Sequence, residues 1–70
     1  MRITTWNINS VRLRLDGLRR LDNELRPDVL CLQEIKVESE KFPRTFAYEL
    51  GFKHCFVYGQ KAYNGVAILS

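Results

Sequence analysis

The sequence is poor in the residues that staple small proteins together. Its 70 positions hold two cysteines, Cys31 and Cys55, and a single histidine, His54. Neither cysteine has a CxxC partner or a cluster of histidines nearby, which excludes a disulfide-rich secreted scaffold and a zinc-finger pattern. No apolar run exceeds four residues (Val29–Leu32, Cys55–Tyr58 and Val66–Leu69), so neither a membrane span nor a signal-peptide core is expected. Free cysteines without a leader fit a reducing, cytoplasmic setting. What is present is a globular composition: 46% of residues are hydrophobic, too many for a disordered chain. A chain this short buries only about 60% of its unfolded surface, so its core is small.

The pattern along the chain alternates strands and helices. Arg2–Ile8 is rich in β-branched and aromatic residues and predicts a strand, which Asn9 and Ser10 break. From Val11 the period changes: Leu15, Leu18, Leu21 and Leu25 fall at three- and four-residue steps, the stripe of a helix that Pro27 closes. Gly17 weakens its first turns, and Asp16 is a candidate cap. Val29-Leu30-Cys31-Leu32 is continuously apolar, as in a parallel strand buried on both faces. Together these form a βαβ unit with parallel strands. Asn7 and Glu34 then end neighbouring strands on one rim, where open α/β sheets keep their ligands. A short helix over Pro43–Leu50 stops at Gly51. Phe52–Tyr58 and Tyr63–Leu69 predict an antiparallel hairpin. Trp6 reads as core, Phe42, Phe46, Phe52 and Phe56 as the apolar faces of the second helix and third strand, and Cys31 as a small buried hydrophobe.

Charge is uneven. Residues 1–26 carry six Lys/Arg and three acids, residues 27–50 three and five, and residues 51–70 two and none, for a net +3. Arg12, Arg19 and Arg26, seven apart, would share one helix face, either simply solvated or contacting a nucleic-acid backbone. Asn7 with Glu34 offers hard oxygen donors for a divalent cation, although spacing alone favours a surface acid and a turn residue. Lys36, two residues after Glu34, is either solvated or a cation steadying that acid. His54, in the third strand after Lys53, reads as a strand residue rather than a general base.

Three blocks narrow these alternatives: Trp6-Asn7-Ile8-Asn9-Ser10-Val11-Arg12, then Pro27-Asp28-Val29-Leu30-Cys31-Leu32-Gln33-Glu34-Ile35-Lys36, then Gly59-Gln60-Lys61-Ala62-Tyr63-Asn64-Gly65-Val66-Ala67-Ile68-Leu69-Ser70. In this order they resemble the opening of the exonuclease III-type apurinic/apyrimidinic endonucleases, a branch of the endonuclease/exonuclease/phosphatase superfamily. The resemblance covers essentially the whole chain. It implies an α/β fold in which residues 1–70 form the N-terminal β-α-β-α-β-β portion of a DNase I-like four-layer α/β sandwich, with no domain boundary inside the chain.

It also implies roles. Glu34 matches the metal-binding glutamate and Asn7 the asparagine beside the metal, so these two are the candidate metal and catalytic residues. Asn9 and Lys36 match neighbours of the metal pocket. Arg12, Lys61 and Tyr63 match positions on loops that approach the DNA backbone. The implied cofactor is Mg²⁺, with Mn²⁺ as a substitute. The implied activity is hydrolysis of phosphodiesters at abasic sites and 3′ ends of duplex DNA, in base excision repair, by a monomeric enzyme away from membranes.

Two departures stand out. Ile35 replaces the usual threonine after Glu34, which removes a hydroxyl beside the metal ligand. The Asp-x-Asn and Asp-His elements of longer relatives do not occur in residues 1–70. The piece is therefore expected to be catalytically inactive alone, and poorly soluble or partly disordered. Two other readings remain: a superfamily phosphatase or phosphodiesterase acting on lipid or inositol phosphates, and a non-catalytic nucleic-acid-binding chain.

Overall fold

The β-branched and aromatic opening forms strand β1 (Ile3–Asn7), and the apolar run after Pro27 forms β2 (Val29–Gln33). The two pair in parallel, with Ile3 opposite Val29 and Asn7 opposite Gln33. Between them lie a 3₁₀ turn (Val11–Leu13) and helix α1 (Leu15–Leu25). Helix α2 (Arg44–Glu49), β3 (Cys55–Tyr58) and β4 (Val66–Leu69) complete the computed structural model, which describes residues 1–60 and 64–70. Among the described residues no helix is long and apolar enough to cross a membrane.

The hairpin folds back so that β4, not β3, lies beside β2, and the sheet order is β1-β2-β4-β3. Both contacts of β4 are antiparallel. The expected α/β class and the β-α-β-α-β-β order are therefore found.

Strand alternation divides the sheet into two unlike faces. On one, Leu30, Leu32, Ala67 and Leu69 are buried and meet Leu18 of α1, Ala47 of α2, Phe42 and Phe52 in the core. Trp6 packs against this core, as expected. A Cβ on Gly17 would lie 3.0 Å from Trp6 Cη2. The residue that weakens α1 locally is thus the one that lets the helix sit close on the indole.

The other face differs from expectation. Val29, Cys31 and Gln33 are only half-buried, so β2 is covered on one side among the described residues, not both. Phe56, read as a core residue, is 65% exposed on that open face, beside Ile68 and near Tyr58 and Val66. Its register opposite Ile68 turns it away from the helices.

Boundaries shift for local reasons. The helix begins at Leu15, not Val11, because the chain first makes the 3₁₀ turn; no side chain caps it, and Asp16 sits in its first turn. Arg12 is therefore outside α1, and Arg26 is its left-handed C-cap at φ 47°, so Arg12, Arg19 and Arg26 do not form one helix face. Arg19 instead lies over the Phe46 ring at 4.9 Å. Gly51, at φ +104°, follows the end of α2 as expected. Phe52 precedes β3 and is buried.

Candidate active site

Parallel pairing brings the C-terminal ends of β1 and β2 together, and the pairing continues past both strands. Ile8 N–H donates to Gln33 O at 3.0 Å, Ser10 N–H to Glu34 O at 2.8 Å and Val11 N–H to Ile35 O at 3.0 Å. Holding that register while the chain turns forces Asn9 (φ 50°), Ser10 (82°), Glu34 (54°) and Lys36 (55°) into left-handed backbone. Such conformations cost energy and persist where surrounding structure over-determines them. Here the surrounding structure is apolar below and hydrogen-bonded alongside. Ile8, Val11, Ile35 and Val37 are all buried under the rim. On the far side, Ile35 and Lys36 N–H donate to Gly65 O (3.3 Å) and Asn64 O (2.9 Å).

The side chains on this frame form one cluster. Asn7 Nδ2 donates to Glu34 Oε2 at 2.6 Å. Lys36 Nζ donates to Asn9 Oδ1 at 2.6 Å and stands 4.0 Å from Glu34 Oε1. Glu34 is 44% exposed and Lys36 32% exposed, so the cluster faces solvent. Gln33, on the open sheet face beside Asn7, donates to Thr5 Oγ1 at 2.8 Å and to Cys31 O at 3.3 Å, which braces β1 against β2.

Of the residues singled out from sequence, the structure brings Asn7, Glu34, Asn9 and Lys36 together. Arg12 is exposed on the 3₁₀ turn that follows Ser10. Lys61 and Tyr63 lie outside the described residues. His54 is exposed at the opposite end of the sheet, stacked on Phe56 with ring centroids 6.5 Å apart. Ile35, whose missing hydroxyl was expected to bear on the metal ligand, is fully buried. The change is thus one of packing below the rim.

Sequence reading passed over the supports. Gly59 N–H donates to Ser39 Oγ at 2.8 Å, and a Cβ at Gly59 would overlap the carbonyl oxygen of buried Val37. Only glycine fits this approach of the β3–β4 connection to the segment after Lys36. Gly59, directly after β3, reads from sequence as an ordinary turn glycine, so the signal for this close approach was weak.

Oxygen donors on a solvent-facing rim suit a hard cation. Asn7 spends its amide N–H on Glu34, which leaves its Oδ1 and the second carboxylate oxygen as the donors. A positively charged group already stands beside that oxygen, the Lys36 ammonium. Among the described residues no three His, Cys, Asp or Glu side chains gather, so one carboxylate anchors this rim.

The chain, with its parallel β1–β2 rim, matches the Endonuclease/Exonuclease/phosphatase family over residues 4–70. It belongs to that family. It is 43% identical over 70 residues to Exodeoxyribonuclease III of Haemophilus influenzae, covering 100% of this chain and 26% of that protein. Among solved structures, it is similar to the 3′ phosphatase NExo from Neisseria bound to a product DNA hairpin, with TM-score 0.92 and 48% identity over 100% of this chain and 27% of that one. An AP endonuclease from Archaeoglobus fulgidus gives TM-score 0.89 and 44% identity, again over 100% of this chain and 27% of that one. The chain thus spans about a quarter of the length of these relatives.

Proposed function

We propose that the protein is an exonuclease III-type DNA-repair hydrolase, cutting phosphodiesters at abasic sites and releasing nucleotides or blocking groups from 3′ ends of duplex DNA. The observation that carries this reading is the Asn7–Glu34 pair, 2.6 Å apart at the C-terminal rim of two parallel strands. The similarity to nucleases and a 3′ phosphatase along the whole chain supports it.

In this reading Glu34 and Asn7 hold a divalent cation, Mg²⁺ or Mn²⁺, which when bound neutralises phosphate charge. The Asn7 amide, bonded to Oε2, fixes the partly exposed carboxylate. Arg12, exposed on the 3₁₀ turn, takes a backbone phosphate, and Lys61 and Tyr63 are assigned to the same DNA backbone from the family resemblance alone. Residues 1–70 supply the cation side of the site as the N-terminal portion of a larger domain, and the remaining groups lie elsewhere in the protein. A cytoplasmic setting accords with two free cysteines, and the protein is proposed to act as a monomer.

The test is cleavage of an abasic-site duplex by the full protein. Glu34→Gln is expected to lower the rate by at least about 100-fold, and Asn7→Ala to weaken cation affinity by about 10- to 100-fold. Cleavage that continues in EDTA would overturn the reading.

A further inference from the structure

The turn that leaves the rim holds a leucine out in water. Val11–Leu13 is a single 3₁₀ turn, and its backbone is pinned at both ends. Val11 N–H donates to Ile35 O at 3.0 Å, Leu13 N–H to Ser10 O at 3.2 Å and Arg14 N–H to Val11 O at 3.1 Å. Helix α1 starts directly behind, with Leu18 N–H on Arg14 O at 2.9 Å. A 3₁₀ helix has three residues per turn, so successive side chains point about 120° apart. Val11 takes the inward direction and is fully buried, which sends Arg12 and Leu13 outward on two different sides. Leu13 is 75% exposed, and its chain neighbours Arg12 and Arg14 are exposed as well.

A lone exposed leucine is ordinary on a protein surface. This one is distinguished by its place and its neighbours. Among the described residues the other large exposed apolar side chains lie on the open sheet face, on α1 and α2, or at Met1. Leu13 stands on the loop that follows Ser10, whose N–H is bonded to Glu34 O. Among the described residues the ion pairs are Lys36–Glu34 and Lys41–Glu38, and neither Arg12 nor Arg14 takes part in one. An apolar side chain fixed between two such guanidinium groups matches a nucleic-acid strand, which carries phosphates outside and sugar and base edges between them. An intact duplex gives the side chain little room, because its bases are stacked. Unstacking costs least where a base is damaged or missing.

We propose that Leu13 is a specificity-determining residue: it packs into the groove opened at an abasic nucleotide while Arg12 and Arg14 hold phosphates beside it. The arginines supply affinity for any duplex, and the leucine supplies the preference for the damaged one. The inference rests on the reading of the protein as a nuclease acting on duplex DNA.

The test is equilibrium binding by the full protein, in EDTA so that no strand is cut. Two duplexes of one sequence are compared, one intact and one carrying a tetrahydrofuran abasic analogue, by fluorescence anisotropy over a range of salt concentrations. Leu13→Ala is expected to weaken binding of the abasic duplex about tenfold and to leave the intact duplex within about twofold. Its salt dependence and its urea midpoint are expected to match the wild type, since the change removes no charge and no buried group. Leu13→Met, close in volume, is expected to keep the preference. Arg14→Ala is expected to weaken both duplexes alike and to reduce the salt slope by about one. Leu13→Ala binding the abasic duplex as the wild type does, or losing equally on both duplexes, would overturn the proposal. So would a wild type that binds the two duplexes equally. In each of these cases cleavage of the abasic duplex once Mg²⁺ is added leaves the nuclease reading standing. A wild type that binds neither duplex and cuts neither with Mg²⁺ overturns that reading, and the proposal with it.

Discussion

Gly59→Ala tests how rigidly the rim is supported. A Cβ there would overlap the Val37 carbonyl oxygen and lie 3.1 Å from Ser39 N and 3.2 Å from Glu38 C. All three are backbone atoms, so no rotamer change relieves the contact, and Val37 is only 2% exposed, so its peptide has little room to retreat. Overpacking of this kind costs about 1–3 kcal/mol. Prying the strands of chain apart also strains the 2.8 Å bond from Gly59 N–H to Ser39 Oγ, worth about 0.5–1.5 kcal/mol. The expected loss is about 2–4 kcal/mol, large against a total folding stability of about 5–15 kcal/mol. Urea unfolding of the full protein at unchanged m would show it as a lower midpoint. Gly51→Ala is the comparison: nothing lies within 4 Å of its Cβ, and only the φ of +104° is strained. That variant is expected to lose about 1–2 kcal/mol. The steric reasoning fails if Gly59→Ala costs no more than Gly51→Ala.

Three further outcomes are expected. Ser10→Gly should stabilise the protein by about 1 kcal/mol: Ser10 sits at φ 82° with no side-chain cap bond, and relief of strain outweighs the added chain entropy; a lower urea midpoint would contradict this. Burial pushes the Cys55 thiol up, against the opposing pull of Arg44, so the fold favours the neutral thiol. Its contribution to stability is full below the unfolded thiol pKa and is lost as pH rises through the higher folded value. The urea midpoint should therefore fall less steeply on the alkaline side in Cys55→Ala than in the wild type. Arg19→Ala should cost no more than about 1 kcal/mol, because the Arg19–Phe46 contact at 4.9 Å is exposed on its cationic side. A double-mutant cycle with Phe46→Leu measures the coupling.

Much of the fold was legible because it is local. The leucine spacing of 15–25, the stop at Gly51 and the apolar run 29–32 each mark an element through side chains within a few residues of one another, and all three elements form. Asn7 and Glu34 were legible as a pair because a βαβ unit has one hand and one rim. The exposure of Phe56 was not legible: a four-residue apolar strand looks the same whether one face or two are covered, and only its register opposite Ile68 distinguishes them.

Sequence alone determined the element types and the parallel β1–β2 rim, since these follow from periodicity, turn chemistry and the handedness of one crossover; the site roles of Asn7, Asn9, Glu34 and Lys36 followed from the family resemblance. Tertiary structure decided that β4 inserts between β2 and β3, that four residues of the rim turn left-handed, and that the nearest partner of Lys36 is Asn9 rather than Glu34. Each of these is set by hydrogen bonds between segments distant in the chain, and sequence spacing carries no information about which of two equally suitable partners such a bond will join.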